Sequence, residues 1–152
     1  MLFVFILLQV ILLFFMLFHD WIAIPPFNDV AAIKQADGNW GRLFSSFING
    51  IVVIIPLMMT IKYYHQAYIP HPALKTIIVF YLILTIGTIL SWWVPYFWGS
   101  SKKHKQHFVK FSNMHRFLSA RGDNVIPNTL HIVLHLQVWA CLVVAFSLYY
   151  FG

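Results

Sequence analysis

Four stretches of the chain run without a single charged residue: Leu2–Phe18, 43–61, 76–97 and Thr129–Phe151. An α-helix crosses a bilayer with about 20 mostly apolar residues, within a range of about 17–25, and all four stretches meet that length. The pattern predicts an all-α integral membrane protein whose four transmembrane helices form one compact bundle. The first stretch has the length of a signal peptide, but it lacks a basic leading region and a small-residue cleavage site before His19-Asp20-Trp21, so it reads as a retained helix. Nothing repeats, no low-complexity linker divides the chain, and 152 residues with four spans leave room for a single domain, 1–152.

The connections carry their own signals. Pro25-Pro26 stops the chain after the first helix, Asn28 is placed as the N-cap of a short helix over 29–36, and Gly38 closes it. In the third connection Phe108, Phe111, Met114, Phe117 and Leu118 recur at three- and four-residue spacing, with Lys105, Lys110 and Arg116 on other faces. That predicts a basic amphipathic helix over 106–118 lying at the membrane interface. Gly122-Asp123-Asn124 is a turn sequence, and Pro127-Asn128-Thr129 marks a break and an N-cap for the last helix.

Composition agrees with a lipid environment. The chain is 61% hydrophobic and 9% charged, whereas a soluble domain averages about 25% charged. Ten Lys and Arg against four acids, all of them Asp, leave a net charge of +6. Lys34 and Arg42 follow the first helix, and Lys102, Lys103, Lys105, Lys110, Arg116 and Arg121 follow the third, while the second connection has only Lys62 and Lys75. By the positive-inside rule the first and third connections face the cytoplasm and both termini lie outside, in a plasma membrane. Lys102, Lys103, Lys105 and Lys110 are candidates for contact with anionic lipid headgroups; other membrane subunits are further candidate partners, and nucleic acid is not, because no binding motif or soluble fold presents the basic residues. The lone Cys141 excludes disulfide frameworks, Cys-ligated zinc and iron–sulfur clusters.

His131 and His135 carry the most chemistry. A spacing of four puts both rings on one face of the last helix, about 5 and about 10 Å below its start at a rise of about 1.5 Å per residue. Ser45, Ser46 and Asn49 on the second helix and Thr88 and Ser91 on the third fall at the same depth, with His19, Asp20, Asp29 and Asp123 at the rim. Intramembrane polar groups turn inward. The histidines are then either interhelical hydrogen-bond partners or a site. The candidate ligand-binding set is His131, His135, Asn49, Ser91, Asp20 and Asp123, and a candidate divalent metal ion would take His131, His135 and Asp123, or Asp20 or His115 in its place.

Other metal chemistry is narrowed. Ile132 stands where the zincin motif needs its catalytic Glu, two rings on one helix face cannot clamp one haem, which would need His19 or a second subunit for its other ligand, and without any Glu no ferritin-like di-iron site can form. His131-x3-His135 and His104-x2-His107 resemble fragments of the histidine boxes of membrane desaturases and hydroxylases; the third box and the doubled histidines are missing, and His104 to His107 sits in a basic run that reads as a solvated face. Three functional readings follow: a membrane protein binding a ligand, lipid or partner helix in a His/Asp-rimmed pocket in the cytoplasmic half of the bundle; an enzyme acting on a lipid or isoprenoid substrate; or a structural accessory subunit of a larger complex.

Overall fold

The computed structural model describes residues 1–66 and 68–152, and every described element is helical. Helix α1 is Leu2–Phe18, α2 Val30–Lys62 and α3 His71–Thr88; a π-helical turn at Ile89–Trp93 joins α3 to α4, Val94–Trp98. Helix α5, Lys102–Phe108, runs into a 3-10 turn at Val109–Phe111, and α6 is Thr129–Phe151. Three helices are long and apolar enough to cross a membrane: Val30–Lys62, the continuous His71–Trp98 and Thr129–Phe151; Leu2–Phe18 is apolar and shorter.

Helix α1 packs on α2 and α6, α6 packs on α3, and α2 meets α3 only briefly. The core between them holds Phe5, Leu12, Val53, Ile77, Tyr81 and Val138 among others. Outward stripes such as Phe3, Leu7, Ile11 and Phe14 on α1 and Phe44, Phe47 and Ile51 on α2 stay exposed. So much uncovered apolar surface is uncharacteristic of a water-soluble monomer.

The two ends differ. At one end the first and third connections fold together into a second small core of Ile33, Trp92, Phe111, Met114 and Val125. At the other, the second connection meets the C-terminus, where His71 packs edge-on to Tyr149.

In the first connection, Asp29 and not Asn28 is the N-cap of α2, accepting from the Ala32 amide. Asn28 is drawn off because its side chain accepts from the Ile24 amide and donates to the His19 and Ile22 carbonyls, a tertiary knot that local sequence does not show. Gly38, at φ 66°, kinks α2 between its first turns and the long apolar run, a left-handed conformation that glycine adopts without steric cost.

The expected helix over 106–118 is corrected. The helix lies earlier, because Gly99 at φ 86° ends α4 and Ser101 caps α5 from the His104 amide; it stops at Phe111, and 112–118 is not helical. Beyond Phe111 the backbone is claimed by distant partners: the His115 amide donates to Pro26 and its carbonyl accepts from Thr129. Met114 turns into the small core instead of along a helix face.

Candidate functional site

The site begins with the cap of α6. The Asn128 Oδ1 accepts from the His131 amide and from the His131 Nδ1, both at 2.9 Å, while its Nδ2 faces the Met114 sulfur. Capping a helix requires the oxygen of Asn128 to face the amide. The neighbouring ring nitrogen must then be the donor, so His131 carries its proton on Nδ1 and its Nε2 is an acceptor. One turn further, His135 is 1% exposed and its Nδ1 has no partner. Trp92 packs against both rings, with centroids 4.1 Å from His131 and 6.1 Å from His135.

His19 closes α1. Its Nδ1 donates to the Phe15 carbonyl at 2.9 Å and its Nε2 lies 3.3 Å from Asp20 Oδ1. Both nitrogens face acceptors. The His131 ring stands edge-on 6.1 Å away.

The π-turn supplies the third wall. In a regular helix the amide of residue 95 would bond the carbonyl of residue 91, but Pro95 has no N–H. The freed Ser91 carbonyl instead accepts from His104 Nε2 at 3.1 Å, and the Val94 amide reaches back to Ile89.

These elements enclose a cleft of about 400 Å³. Its lining comes from Met16 and His19 of α1, Asn49 and Val52 of α2, Ile83, Leu84, Gly87 and Thr88 of α3, Ser91 and Trp92 of the π-turn, and His131, Leu134 and His135 of α6. Ile83, Gly87 and Ser91 are exposed, so the mouth opens sideways where α2 and α3 separate.

Of the residues singled out in the sequence, His131, His135, Asn49 and Ser91 thus line one cleft. Asp20 reaches it only through His19. Ser46 is buried against Trp21, whose Nε1 donates to it at 2.8 Å, and Ser45 is exposed. Asp123 stands apart: it is exposed in the third connection and paired with Lys105, whose hydrogen bond and charge hold its carboxyl below the usual value.

The metal expectation finds no support among the described residues. Among the described residues no three His, Cys, Asp or Glu side chains gather on one point. Asp123 is committed to Lys105, Asp20 to His19, and the His115 ring to Thr129 Oγ1 at 2.7 Å. The remaining acids are also engaged, Asp37 by Lys110 and Asp29 by the α2 cap. His104 is a structural ring on Ser91, not part of a histidine box.

A second polar group lies away from the cleft; the sequence shows Gln9 in the middle of α1 but not the neighbours it meets. Gln9 of α1 is fully buried with its amide unpartnered, near the buried Tyr81 hydroxyl, also unpartnered, and Cys141. A Tyr in the middle of a charge-free run was the available signal.

No protein-family description, curated protein or solved structure matches this chain.

Proposed function

We propose that the chain spans the bilayer four times, with its basic end in the cytoplasm and both termini outside, and holds a lipid-like ligand in the lateral cleft between α2 and α3. One observation carries the reading: the buried His135, whose ring bonds no other helix, and His131 line one cleft that is open between α2 and α3. Hydrogen-bond glue would bond His135 across to a neighbouring helix. Ligand sites are mostly apolar cavities of about 300–1,000 Å³ with few polar groups, and this cleft has that character.

Topology rests on charge. Eight of the ten Lys and Arg flank the end where the first and third connections meet, as the positive-inside rule demands of a cytoplasmic face. Helix α1 at 17 residues measures about 25 Å at about 1.5 Å per residue; slight thinning of the bilayer accommodates it. Lys105 and Lys110 are paired with Asp123 and Asp37, which leaves Lys102 and Lys103 for anionic headgroups.

Cells fed a diazirine-bearing fatty acid and irradiated provide the test. Lipid adducts on the purified protein should concentrate at Ile83–Trp92, and Gly87→Trp should remove them, since the space beside Gly87 is open. Adducts scattered over the outer faces and indifferent to Gly87→Trp would refute the cleft as a lipid site.

A further inference from the structure

We infer that the cleft selects a neutral amphiphile with a hydroxyl headgroup, received between the Nε2 atoms of His131 and His135, over one with a phosphate or carboxylate. This rests on the reading of the cleft as a lipid site and names the chemistry it takes.

The polarity of recognition follows from who already holds each ring nitrogen. Asn128 fixes the His131 proton on Nδ1, so the nitrogen left to the cleft accepts. In His135 the buried Nδ1 faces no acceptor. An N–H there would be an orphaned buried donor, the rarest defect in folded proteins, so the proton belongs on Nε2. The two histidines then offer one acceptor and one donor, beside the neutral Asn49 amide and Ser91 hydroxyl. A hydroxyl both donates and accepts and matches the pair; a fully ionised phosphate has no proton for His131. The two ring centres stand 6.4 Å apart on one helix face, near enough for one small headgroup to meet both rings.

Charge points the same way. No Lys or Arg lines the cleft, and its His19 ring is already engaged by Asp20. An anion buried without an unpaired cation pays its full desolvation. Lys103 and His107 lie on the opposite side of Ser91, in a separate open groove. Below the histidines Met16, Val52, Ile83, Leu84 and Leu134 offer only apolar surface, suited to an alkyl or isoprenoid chain.

The test uses the full chain in phosphatidylcholine nanodiscs, labelled with a diazirine-bearing hexadecanol. Hexadecanol should compete at least tenfold better than hexadecyl phosphate or palmitate for adducts at Ile83–Trp92, and His131→Phe should abolish the saturable part. Equal or better competition by the anions would overturn the headgroup assignment while leaving the lipid cleft standing. No saturable labelling by the alcohol, together with fatty-acid adducts in cells that ignore Gly87→Trp, would overturn both. The competition on the unaltered chain decides even if His131→Phe fails to fold.

Discussion

The His104 ring bonds the Ser91 carbonyl at 3.1 Å, filling the place that the missing amide of Pro95 leaves in the helix. A residue of the basic connection thereby touches the helical turn that edges the cleft.

The shared carbonyl predicts a measurable coupling. His104→Phe alone orphans the carbonyl and should lower stability by about 1 kcal/mol. With Pro95→Ala also present, the restored amide can take the carbonyl, and the second loss should be smaller by about 0.5–1 kcal/mol. Thermal melting of the four proteins gives the cycle; strictly additive effects would show that the two groups do not share Ser91.

His135→Leu separates a site from packing. The ring makes no hydrogen bond through Nδ1 and is nearly fully buried, so Leu, similar in bulk, should leave the melting temperature unchanged or slightly higher. Lipid labelling at Ile83–Trp92 should fall at least tenfold. A lower melting temperature with labelling intact would make His135 a packing residue only.

Gln9 predicts a stabilised variant. Its amide is fully buried without a partner, and an unsatisfied polar group costs about 1–3 kcal/mol. Gln9→Leu should therefore raise the melting temperature, to be read by calorimetry in detergent. A drop would mean that the amide has a role in the bundle.

Asp123 sets a small acid-dependent effect. Lys105 holds its carboxyl below the ordinary 3.8, so the pair contributes stability above that ordinary value and loses it as pH falls through the lowered one. Asp123→Asn should melt slightly lower than the parent at neutral pH, with the gap closing only in strong acid. The pair is exposed, so the gap is small; a gap that persists below the acid limb would contradict the assignment.

Topology can be read by labelling. Lys102→Cys and Gln66→Cys, each made with Cys141→Ala, should react with an impermeant maleimide from opposite faces, residue 102 only after the cytoplasm is opened. Labelling of residue 102 from outside would invert the proposed orientation.

What the sequence determined on its own were the helices and their order. Long charge-free runs favour helices that satisfy their own backbone, so the ends of α6 and the apolar stretches of the second and third helices were legible, as was the Asn128 cap. That Asn49, Ser91, His131 and His135 fall at one level along the helices followed from helical rise, because that depends on nothing but residue count. Which groups turned to one another was decided by tertiary contacts. Asn28 left the cap for three distant backbone groups, and Phe111 and Met114 abandoned a helical stripe to cover Trp92. Asp123 went to Lys105 instead of the histidines. Each of these choices sets a local preference of about 1 kcal/mol or less against burial or hydrogen bonds made across the chain, and such partners are invisible until the connections have folded onto each other.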